Sequence, residues 1–152
     1  MRKTYLKFSV PDISREDIAA VVETLKSGWL TTGEKAQMLE EAFAAETGAD
    51  FAVSLSSGTS ALFLSLIAEG VESGDEVITS PLTFESTANV IHHLGARPVF
   101  ADIDSETFNI DPDAVSAAVT PRTRAIIPVH YAGQPCDMDR IMHKKEKNHL
   151  RV

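Results

Sequence analysis

Short segments rich in β-branched residues alternate along the chain with stretches of helical periodicity, and this alternation constrains the fold more than any other feature. The predicted strands are residues 51–55, 76–80, 98–103 and 124–129, and residues 150–152 resemble the start of another. Strands that alternate with helices at this spacing are typical of a parallel sheet. The sequence therefore predicts an α/β fold with three layers, in which helices cover both faces of a mostly parallel sheet.

Caps and glycines mark the boundaries of the predicted helices. Ser14 and Asp17 have the spacing of a capping box, and Asp111 followed by Pro112 marks a later helix start. Apolar residues recur on one face of each of the first two helices. In the first helix they are predicted to form a buried stripe of Ile18, Val21, Val22 and Leu25, and in the second Met38, Leu39, Ala42 and Phe43 share one face.

Length and composition fit one domain, because 152 residues of which 43% are hydrophobic can bury one sizeable core. We expect an N-terminal helix and loop over residues 1–33 and a βα core over residues 34–152. The formal charge of −8 argues against nucleic-acid and anionic-membrane partners. A single cysteine, Cys136, excludes an internal disulfide. With no signal-peptide pattern and no apolar run long enough to span a bilayer, we expect a soluble, cytoplasmic protein.

A turn of small hydroxyl residues joins the first predicted strand to the helix that follows. It reads Ser56-Ser57-Gly58-Thr59-Ser60. The first amides of a helix have no intrahelical partner and carry partial positive charge. Gly58 allows a ligand to approach the backbone closely. The turn is therefore either an ordinary helix cap or a binding site for a phosphate group.

Ligands of open parallel sheets bind beyond the carboxyl ends of the strands, which indicates the residues that share a site. Phe84 follows the second predicted strand, where it would stack on a flat phosphorylated cofactor, although core packing is the commoner fate of a phenylalanine. His130, Tyr131 and Gln134 follow the fourth strand. For His130, a structural hydrogen bond at the strand end is favoured over catalysis.

Two other kinds of site are not predicted. The chain has neither a dinucleotide-binding glycine motif after a strand nor the Gly-Lys-Ser/Thr of a P-loop. His92, His93 and His143 lie on predicted helices without other metal-ligating residues nearby. No metal site is therefore predicted.

Several short motifs occur along the chain in one order and at one spacing. They are Gly28-Trp29-Leu30-Thr31-Thr32-Gly33, Ser57-Gly58-Thr59, Gly74-Asp75-Glu76-Val77-Ile78, Thr83-Phe84, Pro121-Arg122-Thr123, Ile126-Ile127-Pro128-Val129-His130-Tyr131-Ala132-Gly133-Gln134-Pro135 and Asp137-Met138-Asp139. As a set, from about Phe8 to Val152, they resemble the amino-terminal half of the large domain of the DegT/DnrJ/EryC1/StrS sugar aminotransferases. The resemblance implies the fold of aspartate aminotransferase and the cofactor pyridoxal 5'-phosphate.

The resemblance also implies roles for individual residues. Those that match cofactor-binding positions are Gly58, Thr59 and Ser60, at the phosphate, and Phe84, on the pyridine ring. Those that match a loop near the substrate are Trp29, Leu30 and Thr31. The motif with His130, Tyr131 and Gln134 recurs in the family, but the resemblance assigns it no chemistry.

Two positions of the family have no match in this chain: the acidic partner of the pyridine nitrogen and the lysine that forms the Schiff base. The lysines present are Lys3, Lys7, Lys26, Lys35, Lys144, Lys145 and Lys147. None of them matches the Schiff-base position, so no catalytic residue is predicted. We expect the chain to be a truncated, amino-terminal portion of an aminotransferase that is inactive alone.

By resemblance, the complete enzyme transfers an amino group from an amino acid, typically glutamate, to a keto sugar linked to a nucleotide, and forms at least a homodimer. A pyridoxal-phosphate-dependent sugar dehydratase, with histidine in place of the lysine, is an alternative within the family. A non-catalytic module that binds a phosphorylated ligand or serves assembly is another. The deciding residue lies beyond Val152, so the sequence leaves these alternatives open.

Overall fold

A computed structural model describes residues 4–5, 10–148 and 150–152. The chain divides into two compact units, Met1–Ser54 and Leu55–Val152. The helices are α1 (Arg15–Ser27), α2 (Glu34–Thr47), α3 (Gly58–Ala68), α4 (Ser86–His93), α5 (Pro112–Ala118) and α6 (Met138–Asn148). Over the described residues, none of these helices combines the length and apolarity needed to cross a membrane.

The second unit is built on a parallel sheet of three strands. They are β1 (Glu76–Thr79), β2 (Arg97–Phe100) and β3 (Thr123–Ile127), in the order β2-β1-β3. Both pairs are parallel, and β1 in the centre is buried along its whole length. Beyond β3, Arg151 forms a parallel bridge with Ala125, so the chain begins a further strand where the sequence predicts one.

Each face of the sheet has its own apolar core. On one face, Leu66 of α3 and Ile91 of α4 pack in a cluster with Val77. On the other, Val115 of α5 belongs to a cluster with Ile78. Successive residues of a strand point to opposite faces, so neighbouring residues of β1 serve different cores. The predicted α/β class, with a parallel sheet between two layers of helices, is confirmed.

The first predicted strand does not form. Residues 51–55 have no strand assignment, and the side chains of Phe51 and Val53 are 88% and 76% exposed. A strand needs a neighbour to pair its backbone groups, and no described strand pairs with this segment. The prediction for residues 51–55 is therefore wrong, because a β-compatible sequence does not supply its own partner.

The helices of the first unit begin and end as predicted, but their apolar faces are exposed. Ser14 caps α1 through a capping box: its Oγ accepts a hydrogen bond from the Asp17 amide at 3.1 Å, and Asp17 accepts one from the Ser14 amide at 2.8 Å. Neither α1 nor α2 has a buried residue. The predicted buried stripe of α1 is therefore wrong for Ile18, Val21, Val22 and Leu25, and the apolar face of α2, with Met38, Leu39, Ala42 and Phe43, is exposed as well. Periodicity identifies the face that would be covered but provides no surface to cover it.

A buried carboxylate joins the strands at the amino edge of the sheet. The Glu76 side chain is 0% exposed and accepts hydrogen bonds from Thr120 Oγ1, Arg97 Nη2 and Arg122 Nη2, each at 2.6 Å. The bond from Thr120 and those from the guanidinium groups lower the pKa of Glu76 from 4.5 to about 2, against the opposing effect of burial. The charged carboxylate thereby links β1 to β2 and to the turn that precedes β3.

We expect Glu76→Gln to lower the free energy of unfolding by about 1.5–3 kcal/mol near neutral pH, the usual contribution of hydrogen bonds to a charged group. Because the folded-state pKa lies below the unfolded value, the stabilisation is complete above about pH 4.5 and is lost as the pH falls towards about 2. Urea unfolding across this pH range, on the wild type and the variant, measures both effects.

The matched control is Glu69→Gln, which removes an exposed ion pair in which Arg151 Nε lies 3.2 Å from Glu69 Oε2. Exposed pairs contribute less than about 1 kcal/mol, so the control should change stability little. Equal losses in the two variants would contradict a special role for the buried carboxylate.

Candidate functional site

Ser57 is the N-cap residue of α3. Its backbone is extended, with φ −162° and ψ 157°, and its Oγ accepts a hydrogen bond from the Ser60 amide at 3.1 Å. The hydroxyl groups of Ser57 and Ser60 also lie 2.9 Å apart. The turn is therefore a helix cap, one of the two interpretations that the sequence leaves open.

The cap leaves two other amides of the first turn available. Within the part of the chain that the structure describes, no acceptor bonds the amide of Gly58 or Thr59. A Cβ added at Gly58 would meet no atom within 4 Å, so the space beside this backbone is open. Partial positive charge accumulates at a helix start. The turn thus offers donors, charge and space to an anionic group.

Phe84 lies at the same edge of the sheet as this turn. Helix α3 packs against the sheet, and its last residue, Ala68, leads to the start of β1. The helix therefore ends at the amino edge of the sheet and begins at the carboxyl edge. Phe84 follows β1 and precedes α4, which packs beside α3 on the same face. Its side chain is 74% exposed, so the alternative of core packing does not apply. The structure brings residues 58–60 and Phe84 to one edge of the sheet.

The loop after β3 reaches this edge as well. The amide of Cys136 donates to His130 Nδ1 at 3.0 Å, so the imidazole has a structural hydrogen bond, as the sequence favours. The Cys136 thiol donates to the Val129 carbonyl at 3.2 Å, and burial raises the pKa of this thiol. Both contacts fold the loop back on the end of its own strand.

Asn109 is a residue of this region that no sequence motif identifies as functional. It is 4% exposed and bonds the backbone of the loop at residues 131, 134 and 135. Its place between Phe108 and Ile110 gives no signal, because alternation would turn Asn109 away from the core, whereas Asn109 and Ile110 are both buried and Phe108 is half exposed. A buried amide needs hydrogen-bond partners, but the sequence does not indicate which segment supplies them.

The loop that contains Trp29 belongs to the first unit. Trp29 Nε1 donates to the Thr32 carbonyl at 3.1 Å, and a Cβ at Gly33 would lie 2.9 Å from the indole ring. The ring therefore packs directly on the Gly33 backbone, and a side chain at this position would displace the indole from its present place. A cavity of about 330 Å³ is lined in part by Trp29, Leu30 and Thr31. Their predicted contact with substrate stays a prediction.

A family model described as the DegT/DnrJ/EryC1/StrS aminotransferase family matches residues 11–152. The chain belongs to this family. It is 57% identical over 151 residues to the spore coat polysaccharide biosynthesis protein SpsC of Bacillus subtilis, a match that covers 99% of this chain and 39% of SpsC.

Solved structures of aminotransferases match over nearly the whole chain. An aminotransferase from Psychrobacter cryohalolentis superposes with a TM-score of 0.88 at 37% identity, covering 95% of this chain and 37% of that one. The PLP form of the putative sugar aminotransferase Spr1654 from Streptococcus pneumoniae gives 0.87 at 42% identity, covering 97% of this chain and 38% of that one. Spr1654 also has a PMP form. The chain thus spans about two-fifths of the length of these relatives.

Removal of the cap should destabilise α3 measurably. Ser57→Ala deletes the acceptor of the Ser60 amide, so we expect the free energy of unfolding to fall by about 0.5–2 kcal/mol. Ser65→Ala, at an exposed position of the same helix, serves as the control and should change it by less than about 0.5 kcal/mol. Chemical denaturation of the three proteins measures this, and an equal effect of both substitutions would show that the cap contributes nothing.

Proposed function

We propose that this chain is the amino-terminal portion of a pyridoxal-phosphate-dependent aminotransferase. The complete enzyme would transfer an amino group from an amino acid, with glutamate the expected donor, to a keto sugar linked to a nucleotide. The observation that carries this proposal is the open first turn of α3 at the same edge as an exposed Phe84. Because the chain belongs to an aminotransferase family, we assign pyridoxal phosphate and amino transfer to that edge of the sheet.

The residues at this edge fit the two ends of pyridoxal phosphate. The amides of Gly58 and Thr59, together with the Ser60 hydroxyl, would bind the phosphate, since a helix start supplies donors and partial positive charge. The exposed ring of Phe84 would cover one face of the pyridine. When bound, the cofactor supplies an electron-withdrawing ring that stabilises negative charge beside the transferred amino group. The PLP and PMP forms of Spr1654 support the same cofactor here.

We infer that the catalytic lysine lies outside residues 1–152. The lysines of the second unit lie on α6. This helix ends close to Leu150, and the next residue, Arg151, forms the bridge with Ala125 of β3. Lys144 and Lys145 are therefore towards the amino edge, whereas Gly58 and Phe84 are at the carboxyl edge. Lys3 and Lys7 lie outside the described residues. Lys26 and Lys35 belong to the first unit, and by the family resemblance no lysine of this chain matches the Schiff-base position, so we propose that the chain alone is inactive.

The remaining parts of the proposal rest on the family resemblance. The loop with Trp29, Leu30 and Thr31 would contact the sugar substrate, and its cavity beside an exposed indole supports such a contact. The complete enzyme would be a cytoplasmic homodimer with no nucleic-acid or membrane partner. The comparisons favour neither the sugar dehydratase nor the non-catalytic module.

Phosphate recognition at Gly58 can be tested with two ligands that differ only in the phosphate. We expect the chain to bind pyridoxal phosphate more tightly than pyridoxal, with dissociation constants measured by fluorescence titration. Gly58→Val should remove this preference, because its side chain fills the open space beside the first turn. Circular dichroism verifies that the variant is folded. Equal affinity of the wild type for both ligands would contradict a phosphate site.

The position of the catalytic amine can be tested by reduction with borohydride in the presence of pyridoxal phosphate, followed by peptide mapping. We expect no stoichiometric label on any lysine of the 152-residue chain. Extension of the chain into the sequence that follows Val152 should give one labelled lysine within the added part. A single, fully labelled lysine in the 152-residue chain would show that the catalytic residue is already present.

A further inference from the structure

Asn109 uses every polar atom of its side chain to hold one loop. Its Oδ1 accepts a hydrogen bond from the Tyr131 amide at 2.9 Å. Its Nδ2 donates to the carbonyl groups of Gln134 at 3.1 Å and Pro135 at 3.0 Å. The orientation of the amide is fixed, because rotation by 180° would set oxygen against carbonyl oxygens and nitrogen against an N–H group.

The loop held in this way has an unfavourable backbone conformation. Tyr131–Gly133 forms a 3₁₀ turn in which Ala132 has φ 52°, in the left-handed region that side chains disfavour. Such conformations persist only where the surroundings fix them, and they concentrate at functional sites. Ala132, Gly133 and Gln134 are exposed. Water could form hydrogen bonds with the polar backbone groups of an exposed loop, so these groups do not need a buried partner. The side-chain amide of Asn109 therefore acts to hold the loop in this conformation.

The turn that precedes Asn109 has its own hydrogen bonds and a ring contact. The preceding turn is closed by Asp104, whose Oδ1 accepts from the amide and hydroxyl of Thr107 at 2.8 and 3.0 Å. Phe108 also has a left-handed backbone, with φ 59°. Its ring lies against that of Tyr131, with centroids 6.0 Å apart. The two segments thus meet through a ring contact as well as through the hydrogen bonds of Asn109.

The contact between Asn109 and the loop at residues 131–135 joins the segment that follows β2 to the segment that follows β3, the strands on either side of β1. Asn109 follows β2 and the loop follows β3, whereas Phe84 follows β1 between them. All three strands are parallel, so all three segments leave the sheet at the carboxyl edge. We propose that Asn109 is a positioning residue that fixes residues 131–134 as one wall of the cofactor site. The inference rests on the proposed function, which assigns the cofactor to this edge.

The test uses the complete enzyme that carries these residues, loaded with pyridoxal phosphate. Asn109→Ala removes all three hydrogen bonds, whereas Asn109→Asp keeps the acceptor for Tyr131 and replaces the donor to Gln134 and Pro135. The measurements are the melting temperature, the visible circular dichroism of the bound cofactor and the single-turnover rate with glutamate. Glu76→Gln is the control, because it removes buried hydrogen bonds at the opposite edge of the sheet.

We expect both Asn109 variants to lose about 10-fold to 100-fold in the second-order rate constant for glutamate, the scale on which small misplacements act. The visible dichroism should fall with it. Glu76→Gln should lower the melting temperature at least as much and leave the dichroism and the rate constant unchanged. This contrast separates positioning from a loss of stability.

Two outcomes would overturn the inference, and they differ. Folded Asn109 variants with normal dichroism and a normal rate constant would show that the asparagine serves stability alone, and the proposed function would stand. A wild-type enzyme that holds no pyridoxal phosphate would instead refute the proposed function and the inference with it. If Asn109→Ala fails to fold, Asn109→Asp decides the question by the same measurements.

Discussion

The parallel pairing of β1 with both of its neighbours is the constraint on which the second unit depends. A parallel strand can be reached only by a crossover, so every connection returns over a face of the sheet. The crossovers carry the helices that bury Val77 on one face and Ile78 on the other. The same pairing sends every segment that leaves one of the three strands to a single edge, which is where open parallel sheets bind their ligands.

The two edges of the sheet have opposite chemistry. At the amino edge, the Glu76 carboxylate is buried and bonded by a hydroxyl and two guanidinium groups, so its charge is neutralised within the chain. At the carboxyl edge, the first amides of α3 and the ring of Phe84 face solvent. The first arrangement holds the strands together. The second leaves donors and an aromatic surface for a ligand, which is the physical basis of the proposed cofactor site.

The sequence presents the turn at residues 56–60 as either a helix cap or a phosphate site, but the two are compatible. The cap occupies the Ser60 amide, which belongs to the third residue of the helix. The amides of Gly58 and Thr59 precede it and stay available to a ligand. The cap therefore holds the turn in a conformation in which the amides of Gly58 and Thr59 point away from the helix. An anion can bind them only in such a conformation.

Local chemistry makes three features predictable from the sequence: the capping box at Ser14, the span of α2 between Gly33 and Gly48, and the three paired strands. Caps, glycines and β-branched runs act on residues a few positions away, so their effects can be predicted without the fold. Tertiary structure alone decided that residues 51–55 stay unpaired, that α1 and α2 expose their apolar faces, and that Asn109 bonds a loop more than twenty residues further along the chain. Each of these depends on whether a distant segment is present to pair with, to cover or to bond, and no local pattern carries that information.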